Sequence, residues 1–192
     1  NYIVVTMLFL TYLSSIISVS KALEKELISL TTQLTVLKSQ SVVETGNRCH
    51  DLFFIESGLL RGYYLHDGKE ITNWFGQEGE FATSFYSFVA EKPSFETIQV
   101  IEDCILTQLS FSSLQALYIK FPETERLGRI ITENYYIKLE ERLLSLQFKT
   151  AKERYLHFIK AKPSLLQRTS LGQIASYLGV TQETLSRIRA EL

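Results

Sequence analysis

The chain has 192 residues and a net charge of −1, which leaves room for one large domain or two small ones and gives no whole-molecule field that would draw it to a polyanion. Its 45% hydrophobic and 21% charged residues are the balance of a soluble globular protein, which excludes a disordered or fibrous chain. The two cysteines, Cys49 and Cys104, make no C-x-x-C pair and cannot supply the four thiolates of an iron–sulfur cluster, so reduced, buried thiols in a cytoplasmic protein are expected.

Residues 2–17 are strongly apolar but lack the basic flank and small-residue cleavage pattern of a signal peptide, and they are short for a membrane span. Residues 1–6 either precede the natural start or belong to a hydrophobic element that packs on the core. Residues 8–31 read as one or two amphipathic helices.

From Leu37 to Leu109 the pattern changes to short β segments. Leu52–Ile55 is followed by a predicted turn at Glu56-Ser57-Gly58, then by Leu59-Leu60 and Tyr63–Leu65. His66-Asp67-Gly68-Lys69 is a hairpin signal, because Asp-Gly suits a turn with positive φ. Ile71–Phe75 returns, Gly76 and Gly79 interrupt, and Phe95–Val100 and Cys104–Leu109 supply the last strands. Many short strands at near-regular spacing indicate a sandwich, roll or barrel.

A long helix is predicted from Pro122 to Phe148. Leu127, Ile130, Asn134, Ile137, Glu141, Leu144 and Phe148 fall at alternating spacings of three and four, a coiled-coil-like seam that would pair with a second copy. A second stripe, Tyr136, Leu139, Leu143 and Leu146, is expected to pack on the subunit's own domains. Lys149–Glu153 reads as a hinge, Arg154–Ala161 as a supporting helix and Leu165–Thr169 as a connector.

The last two dozen residues carry the strongest signal. Two short amphipathic helices are separated by a tight turn at Gly179: Ile174, Ala175 and Leu178 form the buried stripe of the first, Leu185 and Ile188 that of the second. Ala175 is small where crossing helices touch, Gly179 is expected at positive φ, Ser170 is a candidate cap of the first helix, and Thr181 caps the second without a complete capping box. This is the helix-turn-helix pattern, whose second helix enters the DNA major groove. Its polar face carries Gln182, Glu183, Ser186, Arg187 and Arg189. Arg pairs with guanine, Gln with adenine, and Glu accepts from cytosine N4. Residues 147–192 hold a local charge of +5, against −6 for the rest, as befits a basic module on an acidic partner domain.

A β-rich domain, a long helix and a C-terminal helix-turn-helix, in that order, resemble the cyclic-AMP receptor protein/FNR (Crp/Fnr) family of bacterial transcription regulators. The phrases that carry the likeness are Asp51-Leu-Phe-Phe-Ile-Glu-Ser-Gly-Leu59, Gly79-Glu-Phe-Ala82, Glu153-Arg-Tyr-Leu156 and Gln173–Ile188, within roughly residues 10 to 192. The resemblance implies an α+β protein: an N-terminal antiparallel β-roll of the cyclic-nucleotide-binding type with its leading helices (1–121), a long dimerisation helix (122–149) and a helix-turn-helix domain of winged-helix type (150–192). It places Gln182, Glu183 and Arg187 at base-reading positions, Thr181, Ser186 and Arg189 at phosphates, and Arg168 and Thr169 near the backbone at the start of the module. It implies an effector pocket around Gly79, Glu80, Phe81, Ala82, Ser94 and Phe95. Members that bind cyclic nucleotide place an Arg-Ser or Arg-Thr pair about a dozen residues after Gly-Glu, where arginine neutralises the cyclic phosphate. Here Ser94 and Phe95 stand instead, with Lys92 the nearest cation. Cyclic AMP is therefore not expected to bind. Phe85, Tyr86 and Phe88 fill the pocket, or it takes a less anionic effector. The family often has a β-wing beyond the recognition helix, where this sequence stops at Leu192: the wing is absent or the sequence has been shortened.

The expected partners are double-stranded DNA, a second copy of the chain, RNA polymerase and a small-molecule effector of unassigned identity, with no membrane, metal or cofactor and no enzymatic activity. Two rivals stand beside this reading. One is a sensor or scaffold of the same fold that no longer binds DNA. The other is a cupin-like metal enzyme, for which only His50 and His66 are available on the roll and a Cys49/His50/His66 site has little support from spacing.

Overall fold

The computed structural model describes residues 6–192, with side chains from Leu8 onward. The alternatives for residues 1–6 concern a segment that, apart from Thr6, lies outside that range. Two compact units share the chain. One comprises the chain up to Gly62 together with Phe75–Ile131, the other Tyr63–Trp74 and Thr132–Leu192.

In the first unit, α1 (Thr6–Ile16) and α2 (Lys21–Leu30) confirm the helical reading of 8–31. Phe9, Leu13 and Ile17 recur at every fourth residue and are buried, as are Leu23 and Leu27. Ser20 caps α2 by accepting from the Leu23 amide at 3.1 Å. Both helices lie on a core built with Phe54, Phe81, Leu109, Leu117 and Leu127, in which the rings of Phe9, Phe54 and Phe81 meet edge to face at 5.1–6.3 Å.

The sheet begins earlier than expected, with β1 (Thr31–Val36) and β2 (Ser41–Val43), and continues through β3 (Asp51–His66), β4 (Lys69–Gly76), β5 (Phe81–Ala82) and β6 (Thr97–Ser110). The strand order is β1-β6-β3-β4, with β2 on β6 and β5 on β3; the β1–β6, β2–β6 and β3–β5 pairings are antiparallel. The turn expected at Glu56-Ser57-Gly58 is absent, and β3 runs straight through it. Gly58 adopts φ +101°, and a Cβ there would collide with Cys104 Sγ and lie 2.7 Å from the Asp103 carbonyl. The glycine lets β3 pass close to β6 at a φ that other residues rarely adopt, without ending the strand. Its amide donates to Glu78 Oε1 at 2.8 Å. Likewise β6 is one strand where two were expected. Asp103, between the two expected segments, accepts from the Lys38 amide at 2.8 Å through Oδ1.

Two helices of the first unit escaped the sequence reading. The first is α3 (Phe85–Ala90). The second, α4 (Phe111–Lys120), is capped by Ser110, which accepts from the Ser113 amide; that Ser-x-x-Ser start, with Leu114 and Leu117 following, was the available signal. The long helix α5 (Pro122–Phe148) has the predicted bounds.

The second unit holds the β3–β4 hairpin tip, where Asp67 and Gly68 at φ 49° and 71° form the expected positive-φ turn. It also holds α6 (Ala151–Ala161), α7 (Leu165–Arg168), α8 (Leu171–Leu178) and α9 (Gln182–Ala190). The expected hinge is shorter than 149–153, because Thr150 and Glu153 form a full capping box that starts α6 at Ala151. The connector 165–169 contains one helical turn, α7, closed by the Thr169 amide and hydroxyl on the Leu165 carbonyl. Tyr155, Phe158, Leu165, Ile174, Ala175, Leu178, Leu185 and Ile188 are buried in this unit. No helix among the described residues is long and apolar enough to cross a membrane.

Candidate nucleic-acid interface and effector region

The interface is built from two helix ends. Ser170 caps α8 in a reciprocal box with Gln173, and Gly179 closes it at φ 68°. There the Gly179 amide donates to the Ser176 carbonyl and the Val180 amide to the Ala175 carbonyl, both at 3.0 Å. These bonds satisfy two of the last four carbonyls of α8 and turn the chain within three residues into α9, where the Thr181 hydroxyl accepts from the Thr184 amide at 3.2 Å. With Ala175, Leu178, Leu185 and Ile188 buried, the opposite face of α9 stands in solvent, and Gln182, Glu183, Ser186, Arg187 and Arg189 are all exposed. Gln182 extends back over Gly172: its Oε1 lies 3.1 Å from where a Cβ would stand, so a side chain at 172 would push on a candidate base-reading group.

The Glu183 carboxyl is held below its ordinary pKa by its own backbone amide and by the Thr181 hydroxyl, with Arg187 adding a smaller attraction. It therefore stays an acceptor at neutral pH, as cytosine N4 would require. Arg187 Nη2 lies 3.4 Å from Thr184 Oγ1, a long exposed contact that leaves the guanidinium available. Thr181 is exposed, Arg168 and Thr169 are half-buried, and the Thr169 hydroxyl is turned inward onto the Leu165 carbonyl at 2.8 Å.

Along α5 the expected seam divides. Leu127 is buried in the first unit's own core and Ile130 is half-buried, whereas Asn134, Ile137, Glu141, Leu144 and Phe148 are exposed. The stripe expected to pack internally, Tyr136, Leu139, Leu143 and Leu146, is exposed as well. From Tyr135 onward α5 therefore shows apolar residues of both stripes to solvent, while Arg142 turns toward the end of α8. Phe148 is 78% exposed.

In the effector region Gly79 takes φ +81° in the turn Gln77–Glu80, whose ends are tied by the Glu80 amide to the Gln77 carbonyl (3.0 Å) and by Glu80 Oε2 accepting from the Gln77 amide (3.1 Å). Phe81 and Ala82 form β5, and Phe81 packs into the N-terminal core. Ser94 is buried: its hydroxyl lies 2.8 Å from Ser84 Oγ and 2.7 Å from the Glu96 carbonyl, and accepts from the Glu96 amide. Phe95 is 61% exposed and packs on Tyr86 with ring centroids 4.7 Å apart. The expectation that Phe85, Tyr86 and Phe88 fill a pocket needs correction. Only Phe88 points inward, edge-on to Phe111 at 5.1 Å, while Phe85 and Tyr86 face solvent because α3 turns Ser84, Ser87 and Phe88 to its buried side. Cys49 and Cys104 are free and buried. Among the described residues no group of three or more His, Cys, Asp or Glu side chains could hold a metal ion.

The chain thus runs from a β-roll through a long helix to a C-terminal helix-turn-helix. Residues 33–120 match the family described as the cyclic nucleotide-binding domain. The chain is 27% identical over 168 residues to the anaerobic regulatory protein of Aggregatibacter actinomycetemcomitans, covering 80% of this chain and 63% of that protein. It is 27% identical over 173 residues to electron transport regulator A of Shewanella oneidensis, covering 80% and 65%. The chain thus spans less than two thirds of the length of these curated relatives. FixK2 from Bradyrhizobium japonicum shares the fold with a TM-score of 0.71 at 23% identity, over 84% of both chains. CLP from Xanthomonas campestris, described as c-di-GMP responsive, also gives 0.71, at 18% identity over 90% of this chain and 91% of that one. In sequence and in fold the chain resembles the Crp/Fnr regulators.

Proposed function

We propose that this chain is a DNA-binding transcription regulator that acts as a homodimer on a palindromic site. The observation that carries the reading is the outward presentation of Gln182, Glu183 and Arg187 on the first turns of α9, beyond a turn that Gly179 and Thr181 hold in one shape. In this reading residues 1–121 form the sensor, 122–149 the dimerisation helix and 150–192 the DNA-reading domain. Gln182, Glu183 and Arg187 read base edges. Thr181, Ser186, Arg189 and Arg168 contact phosphates, with Thr169, whose amide and hydroxyl both donate to the Leu165 carbonyl, placing Arg168 beside the DNA backbone. The exposed apolar seam of α5, with Ile137, Leu144 and Phe148, takes a second copy and sets the half-sites about one helical turn apart.

The effector region does not suit a cyclic phosphate. Where the resemblance calls for a cation, the chain offers Ser94, whose hydroxyl is satisfied within the protein, and the exposed ring of Phe95. Selection from random duplex DNA tests the function: a two-fold-symmetric consensus supports it, and recovery of sequences without any half-site pattern overturns it. Calorimetry with cyclic AMP should give no heat of binding.

A further inference from the structure

Ser176 stands on the last turn of α8, and its side chain is spent on a strand. Its hydroxyl accepts from the Thr72 amide at 2.8 Å and donates to the Glu70 carbonyl at 3.0 Å, so one side chain satisfies two successive backbone groups on the outer edge of β4. Beside it, Arg142 of α5 lays its guanidinium over the Tyr177 ring at 4.0 Å. The Arg142 Nη2 donates to the Tyr177 carbonyl at 2.8 Å and reaches the Thr72 carbonyl at 3.4 Å. Arg154 of α6 then donates through Nε to the Leu178 carbonyl (2.8 Å) and through Nη1 to the Lys149 carbonyl (2.6 Å). Two arginines therefore meet the negative end of α8, where a cation and a donor are both favoured. All of these residues belong to the second compact unit.

We propose that Ser176 and Arg142 are positioning residues for DNA reading: with the β3–β4 hairpin they clamp the end of α8 to α5 and so fix the angle at which α9 is presented. The proposal rests on the DNA-reading function above. The grip falls on Ser176, Tyr177 and Leu178, immediately before the Gly179–Thr181 turn that launches α9. A rotation of α8 at that point carries Gln182 and Glu183 with it. None of the clamp groups is among the candidate base-reading residues, so loosening the clamp changes where α9 points and leaves its chemistry intact. In a symmetric dimer that angle decides which half-site separation fits.

The test uses the full chain and its Ser176→Ala and Arg142→Lys variants. Alanine leaves the Thr72 amide without its acceptor; lysine keeps the charge but loses the planar stack and the reach to two carbonyls. Amide exchange at Thr72 should quicken about tenfold in Ser176→Ala, the equivalent of losing about one hydrogen bond. On duplexes carrying the selected half-sites at several separations, the wild type should favour one separation, and both variants should discriminate at least about threefold less, with base preference within the half-site unchanged. A merely structural role would lower affinity for all separations alike. Unchanged exchange at Thr72 together with unchanged separation preference overturns the proposal, and so does an altered half-site preference. If the wild type selects no DNA, the functional reading fails and the positioning role falls with it, while the exchange measurement still reports whether the clamp exists.

Discussion

Arg187→Ala separates reading from folding. The guanidinium stands in solvent on α9, and its contact to Thr184 Oγ1 is 3.4 Å long, so little native structure depends on it. Alanine is also the better helix former. Thermal stability should therefore change by less than about 0.5 kcal/mol. On DNA the loss is expected to be large and selective. One bidentate arginine–guanine pair discriminates by about 1–3 kcal/mol, or roughly 5- to 150-fold. A symmetric dimer makes the contact twice at distant points, so the full palindrome should lose about 2–6 kcal/mol. The assay is fluorescence anisotropy at fixed salt with three duplexes: the selected palindrome, the same palindrome with the arginine-read base changed in both halves, and an unrelated sequence. The variant should bind the first two equally and lose little on the third. An equal loss on all three would make Arg187 a phosphate contact, and no loss on any would refute its presence in the interface.

Three further outcomes are expected. Ile137→Asp places a charge on the open apolar side of α5, where Ile137 is 52% exposed, and should shift the protein from dimer to monomer in sedimentation velocity without lowering its helix content; an unchanged sedimentation coefficient would remove α5 from the interface. Gly58→Ala must accommodate a Cβ at φ +101° against the Cys104 and Asp103 backbone, and should cost about 3 kcal/mol or more in chemical denaturation; a near-neutral variant would contradict the close approach of β3 to β6. Glu56 is buried, with Thr107 donating to it at 2.6 Å. Desolvation raises its pKa, which the hydrogen bonds from Thr107 and the Phe9 backbone only partly offset. A carboxyl whose folded pKa lies above its unfolded value supports the fold below that unfolded value and loses this support as pH rises through the folded one. Glu56→Gln, which still accepts from Thr107, should melt higher than wild type at neutral pH, with the gap closing by about pH 4. A variant that melts lower at neutral pH would show that the charged form is the stabilised one.

The parts of this protein that could be read in advance are those whose cause is local. A helix-turn-helix is a pattern of buried residues at helical spacing around a glycine, so Ile174, Ala175, Leu178, Gly179, Leu185 and Ile188 declared both helices and the turn between them. The same holds for the Asp67-Gly68 hairpin and for the bounds of α5. Where a residue serves a distant neighbour, the pattern misleads. Gly58 looks like a turn because its reason is the backbone of β6, 45 residues on and invisible in the string. Phe85 and Tyr86 look like pocket filling because an aromatic run says nothing about which way a short helix is rolled.

Local order along the chain thus prescribed the order of elements and the chemistry of the exposed face of α9, since helical periodicity, caps and positive-φ turns depend on residues a few places apart. Long-range packing settled which faces of α5 stay open, and it brought Ser176 to the amide of Thr72 across 104 residues. Those contacts depend on how separate elements meet in space, and a hydroxyl on an amphipathic helix gives no hint of which strand edge it will find.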